Sequence, residues 1–406
     1  MCLRGRIPAQ LSFMLVLVSF LTYTPCLRAQ KKELAQARSY IKSGKNFDKA
    51  ERLMNELLAK DAANRQNLKI HEMLYLAVRK QYEAGNEKLY LKQKFDTAML
   101  FNLTKRMFNI CQRLDSIDAQ PDKKGRVRPE YRKKHARELD EVRQNLYLGG
   151  RFFLAKSCYQ VAFNYFDTYL DCARQPLFTD YRYLQNDSLM KHAAYWSTYT
   201  GFKEQLPEHI LKYAQLALQD TVNAQFTLQY MAEAYRMNNN DSLYVQTLTE
   251  GFRRFPEHVY FYPRLLDLYN SREQYAQALE LSEEALSHNP ENELFIFGKS
   301  TVLLNMGYNK ESLALSDSLI SRNADMSEPY FNAATAILNQ IVPLENNSRK
   351  NRKEINNLYR KARPYMEHYR TLAPKKQDKW APALYKIYLN LNMGKQFDEI
   401  DKLLKK

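Results

Sequence analysis

Side chains able to do chemistry are numerous in this chain, but their spacing does not bring them together. Seven histidines, His71, His135, His192, His209, His258, His288 and His368, stand far apart. None falls into the HxxxH or HExxH spacing that places two imidazoles on one helix face for a metal ion. Five cysteines, Cys2, Cys26, Cys111, Cys158 and Cys172, form no CxxC pair and no Cys/His cluster for zinc. There is no GxxxxGK loop to cradle phosphates, and the Gly149-Gly150 pair reads as a helix–helix turn. Carboxylates on amphipathic helices read as solvated faces. The expectation is a non-enzymatic chain with no catalytic, cofactor-binding or metal-binding residues, and no cofactor.

The elements that would position any other site follow from composition. Of 406 residues, 45% are hydrophobic and 13% aromatic, enough to bury a large core and too many for a disordered chain. Only 11 glycines and 14 prolines argue against all-β folds, which need a turn every ten residues or so. With 29 tyrosines and 13 methionines, helices packed through large side chains are expected.

Residues 1–29 read as a secretory signal peptide: Arg4 and Arg6 precede an apolar run from Leu11 to Leu21, and a small residue, Ala29, precedes the cleavage point. The run is too short to span a bilayer, which takes roughly 20 apolar residues. Cys26 opens an alternative, a lipid anchor, but Pro25 stands where a small residue is wanted. Cleavage would remove three arginines and no acid, lowering the net charge from +16 to +13. It would also leave an odd set of cysteines, Cys111, Cys158 and Cys172. Cys158 and Cys172 fall on one helix about 21 Å apart, too far for a disulfide, and all three read as packed thiols.

A period of 34 runs through the middle of the chain. Ala194, Leu228, Tyr262, Ile296 and Tyr330 share one phase, and Ala217, Gly251, Ala285 and Leu319 another. Pro256 and Pro290 share a third, just past a second helix. In block 259–292 the aromatic Tyr262, Leu265, Tyr269, the small Ala278 and Pro290 follow one another in the order of the tetratricopeptide repeat, which this block resembles. Leu266 and Ser282 depart from that pattern, where the repeat has glycine and phenylalanine.

Degenerate blocks continue on both sides of the regular register at 191–326. The expectation is an all-α, right-handed superhelical solenoid of about nine antiparallel helix pairs. An N-terminal piece is expected over 30–112, a basic linker over 113–134 and a C-terminal array over 135–406, interrupted by an insertion at about 342–356. Such pairs bury a continuous core only by stacking.

The resemblance implies binding of a partner's peptide or helix in a concave groove lined by the first helix of each pair. Mapped onto this chain, the lining positions are His192, Tyr195, Tyr199 and Phe202, then Phe226, Gln229, Glu233 and Arg236. They continue with Tyr260, Asp267 and Asn270, then Phe297 and Thr301. The same aromatics also suit packing between repeats. Tyr195, Tyr199, Gln229 and Glu233 stand where a clamp for a C-terminal carboxylate would need Lys and Asn, so that activity is not expected.

Lys123, Lys124, Arg126, Arg128, Arg132, Lys133, Lys134 and Arg137 crowd one basic segment. Export argues against nucleic acid, leaving an anionic glycan or lipid surface as the alternative partner. Six Asp-Ser/Thr-aliphatic triplets resemble bacterial O-glycosylation sequons, although capping is the simpler reading at Asp187 and Asp241. Together these features suggest a protein-binding scaffold of a Gram-negative envelope, periplasmic or associated with the outer membrane.

Overall fold

The computed structural model describes residues 30–405. The stretch expected to be a signal peptide, residues 1–29, with Cys2 and Cys26, lies outside them. Among the described residues every regular element is a helix.

In the first half, α1 (30–42) pairs with α2 (Phe47–Lys60), and α3 (Leu68–Tyr90) with α4 (Thr97–Asp118). A short α5 (Arg132–Asp140) precedes the pair α6 (Gln144–Ala155) and α7 (Tyr159–Asp171). A 3₁₀ turn at Pro176–Tyr181 and the single turn α8 (Tyr183–Asn186) lead to α9 (Leu189–Glu204), which packs on α10 (Pro207–Lys212) and α11 (Ala214–Ala217).

The chain goes on through α12 (Ala224–Met237), α13 (Asp241–Arg254), α14 (Phe261–Ser271) and α15 (Tyr275–His288). The last six helices are α16 (Glu293–Asn305), α17 (Asn309–Arg322), α18 (Ser327–Asn339), α19 (Ser348–Leu372), α20 (Gln377–Asn390) and α21 (Gly394–Leu404). Within the second half, α14–α15, α16–α17, α18–α19 and α20–α21 each pack as a pair.

The stripe that makes each helix is short and periodic. In α2, Ala50, Met54 and Leu57 recur at i, i+4 and i+7 and are buried. Side-chain caps set several starts: Asn67 accepts from the Lys69 amide, Asp96 from Ala98, Asn240 from Leu243, and Asn292 from Leu294 and Phe295. Asp187 likewise accepts from Leu189. Asp241, expected to cap, is instead the first helical residue behind Asn240.

The positions of the first two phases of the 34-residue register, Ala194 to Tyr330 and Ala217 to Leu319, are all buried, whereas Pro256 is half-buried and Pro290 exposed. One second helix departs from it. Between α10 and α11 the helix breaks at Tyr213, whose ring turns into the core and whose hydroxyl donates to Asp167 at 2.8 Å.

Contacts divide the chain into two compact units that meet at Ala234 and Tyr235, not at the expected basic linker. The residues on either side of that linker share one core, where Phe108 of α4 lies 5.8 Å from Phe178. That core also holds Tyr75, Phe166 and Tyr169. A fully buried ring or aliphatic side chain contributes roughly 1.5–3 kcal/mol. The linker itself is shorter than expected. Leu114 is buried, α4 runs on to Asp118, and helix resumes at Arg132. The expected insertion at 342–356 is likewise largely helical. After a 3₁₀ turn at Val342–Asn347, α19 starts at Ser348 and buries Ile355, Tyr359, Ala362, Met366 and Tyr369 on one stripe. No described helix is long and apolar enough to cross a membrane.

Candidate functional site

Three half-buried aromatics of the first unit share α9. Trp196, Tyr199 and Phe202 lie along it, next to Tyr195, which is almost fully buried. The Tyr230 ring of α12 lies 4.5 Å from Phe202, 5.9 Å from Tyr199 and 6.4 Å from Tyr195. Part of the predicted groove is thus packing between consecutive first helices. Tyr195 has little surface left to offer, whereas Trp196, Tyr199 and Phe202 keep an open edge. Cations frame them: the Arg151 guanidinium lies 5.0 Å from the Trp196 ring, and Lys203 Nζ lies 5.6 Å from Tyr159, itself 6.3 Å from Tyr199.

His192, a predicted lining residue, is tied up in a relay the sequence did not reveal. The Trp196 indole donates to His192 Nε2 at 3.0 Å, and an indole can only donate. Nδ1 therefore carries the ring proton and donates to Asp220 at 3.2 Å. Burial opposes charge on Asp220, but hydrogen bonds from Asn223 and His192 outweigh it and hold the carboxyl below its usual range. With both ring nitrogens committed, His192 orients Trp196.

Phe226, Gln229 and Glu233 lie half-buried on α12, and Arg236 is exposed near its end. In the second unit two of the predicted lining residues, Asn270 and Thr301, connect repeats. Tyr260 is buried, with the Arg264 guanidinium 3.7 Å from its ring centre. Asn305 of α16 donates to Asn270 of α14 at 3.0 Å, and Asn332 of α18 to Thr301 of α16 at 3.0 Å. Phe297 is half-buried and Asp267 exposed. Of the predicted groove residues, the structure brings Tyr195, Tyr199 and Phe202 together against Tyr230, with only Tyr199 and Phe202 keeping an open edge.

The turns within the pairs share one geometry. Gln205, Asn239, Glu273 and Gly307 have φ of 57°, 53°, 56° and 82°, at a spacing of 34. In each turn the left-handed residue's N–H bonds the carbonyl three back, and the next N–H bonds the carbonyl five back. These are Schellman caps. Ser157, Lys92 and Asn392 repeat the motif in other pairs. The chain is a tetratricopeptide-like array.

No family model and no curated protein sequence matches the array. Among solved structures it is similar to the C-terminal part of a TPR repeat-containing protein from Cytophaga hutchinsonii, at 12% identity and a TM-score of 0.43, covering 63% of this chain and 93% of that one. It is also similar to a TPR repeats protein from Bacteroides fragilis, at 16% identity and a TM-score of 0.31, covering 64% and 98%. A third is yeast Tom70, at 13% identity and a TM-score of 0.34, covering 93% and 91%.

The basic segment of the array divides into two sets. Arg132 makes a bidentate pair with the buried Asp115 at 2.7 and 2.9 Å, Arg126 another with Asp122, and Lys134 pairs with Glu72 at 2.8 Å. His135 Nε2 stands 2.8 Å from the same Glu72. The contacts of Arg132, Lys134 and His135 dock α5 on α3 and α4. Lys123, Lys124, Arg128, Lys133 and Arg137 are exposed, and none of them has a carboxylate within ion-pair distance among the described residues.

A further cation is built inside the fold. Arg143, 5% exposed, lies between the Tyr169 and Tyr183 rings at 3.8 and 3.7 Å, and Nη1 reaches Asp187 at 2.6 Å. Tyr169 also donates to Asp187, and Tyr183 to Asp140 at 2.7 Å. No sequence signal marked it, because its partners lie 26 to 44 residues away. Its role is to staple α6, α7 and α8. Among the described residues no three His, Cys, Asp or Glu side chains gather closely enough to hold a metal ion.

Proposed function

We propose that the chain is a non-enzymatic scaffold of a bacterial envelope that holds a partner's peptide or helix on the first-helix face of its first unit. The observation that carries this reading is the open aromatic edge of Trp196, Tyr199 and Phe202, framed by Arg151 and Lys203. Rings oriented by packing offer contact area at little entropic cost, and the cations favour a segment that mixes apolar and acidic residues.

The test is a photo-crosslinking residue at Tyr199, activated in the native envelope, with the crosslinked peptides sequenced. One reproducible partner segment, lost in a Trp196→Ala background, supports the reading. Equal crosslinking from an exposed control position such as Val222 removes it. A second reading, attraction to an anionic glycan or lipid surface, rests on Lys123, Lys124, Arg128, Lys133 and Arg137. It gains the ground if binding to envelope fractions collapses with salt and with charge reversal over 123–137, while Tyr199 is dispensable.

A further inference from the structure

The hairpin α3–α4 is longer than its neighbours and ends in an apolar tip set among lysines. At 23 and 22 residues these helices exceed α2, with 14, and the excess in α3 is about 14 Å of helix. At the far end Tyr90 is 85% exposed and Leu91 54%. Lys88, Lys92 and Lys94 surround them and are exposed, against one acid, Glu87, in the segment 86–94.

The tip is rigidly made. Leu91 and Lys92 donate to the carbonyls of Glu87 and Leu89, and Gln93 donates to that of Lys88. Gly85 leaves room for the Phe95 ring, whose Cζ would stand 2.5 Å from a β-carbon there, and Lys88 Nζ lies 5.9 Å from the same ring. Phe95 thus holds the turn from inside while Tyr90 and Leu91 face outward. Burial cannot explain an exposed Tyr-Leu pair at a chain reversal, and solubility cannot explain it either. A ring with a polar end, an aliphatic neighbour and three flexible ammonium groups match the boundary between acyl chains and acidic headgroups.

We propose that this tip docks into the interface of an anionic lipid bilayer, with Tyr90 and Leu91 entering the acyl boundary and Lys88, Lys92 and Lys94 meeting lipid phosphates. These residues belong neither to the aromatic face of α9 nor to the segment 123–137, so the assignment stands or falls separately from the proposed scaffold function.

The experiment uses the full chain carrying Tyr90→Trp and vesicles of phosphatidylcholine, either alone or with about 30% phosphatidylglycerol to give the surface a negative potential. Emission from position 90, after subtraction of the wild-type signal from Trp196 and Trp380, should shift to the blue and be quenched by brominated acyl chains only with the anionic vesicles. Adding Lys92→Gln and Lys94→Gln should weaken that response roughly thirtyfold in lipid concentration, and high salt should weaken it too. A tryptophan at Val222, a residue 77% exposed elsewhere in the same unit, should not respond. No shift at position 90, or an equal shift at position 222, overturns the assignment. Unchanged helical circular dichroism in each variant excludes misfolding as the reason for a lost signal.

Discussion

The Tyr262 hydroxyl occupies the space that a β-carbon on Gly298 would need. It also lies 3.0 Å from Ser282 Oγ, so one phenol bridges the small residue of α16 and the hydroxyl of α15. This accounts for both departures from the repeat pattern. Leu266 can replace glycine because Gly298 gives up the volume: a β-carbon there would stand 2.8 Å from Leu266 Cδ2. Ser282 can replace phenylalanine because it satisfies a buried tyrosine.

Gly298→Ala is therefore expected to destabilise the second unit by about 1–3 kcal/mol through overpacking, read as a lower urea midpoint. Ser282→Ala should cost about 1–3 kcal/mol by leaving the Tyr262 hydroxyl poorly paired. Combining it with Tyr262→Phe should recover most of that loss. Additive losses in the double variant would contradict the pairing.

The left-handed turn residues yield an opposite prediction. Glu273 holds φ 56° with a side chain that disfavours it, where the equivalent Gly307 does not. Glu273→Gly should raise stability by about 0.5–1 kcal/mol, and Gly307→Glu should lower it by a similar amount. A drop in melting temperature for Glu273→Gly would rule out the strain argument.

Removing the partner of Arg143 should be severe, because it leaves a buried guanidinium uncompensated. Asp187→Asn is expected to cost about 3–5 kcal/mol at neutral pH. Burial opposes the Asp187 charge, yet hydrogen bonds from Tyr169 and Arg143 hold its carboxyl below the ordinary 3.8. A depressed carboxyl stabilises fully above that ordinary value and loses its contribution as pH falls through the folded value. The stability gap between wild type and Asp187→Asn should therefore narrow below about pH 4. A gap independent of pH would show that the charge is not what matters.

Thiol reactivity should separate the three described cysteines. Cys111 and Cys172 are buried, and burial pushes the Cys172 thiol up to about 12, whereas Cys158 is exposed at the start of α7. Brief alkylation of the native chain, mapped by mass spectrometry, should modify Cys158 and leave the other two until denaturant is added. Rapid labelling of Cys172 would place it outside the core.

Much of the fold was legible in the chain. Apolar residues recurring at helical spacing, and then at 34, determine which face each helix buries, since a helix pair cannot hide its apolar side without a neighbour. Ala194, Leu228, Tyr262, Ile296 and Tyr330 were readable as core for that reason, and all are buried. What only the tertiary structure decided concerns contacts between residues far apart in sequence. The polar stretch 348–353 is helix because Ile355 and Tyr359 anchor the next turns of α19 in the core. The chain on either side of the basic linker belongs to one unit because Phe108 meets Phe178 across it. Tyr195, Tyr260, Asn270 and Thr301 carry groove chemistry by type, yet they are spent on packing or on bonds to the next repeat. A periodic sequence specifies which residues turn inward, but whether an aromatic near the rim meets a neighbour or remains open depends on where the next helix lies. That position is set by the summed packing of many side chains, which no single spacing records.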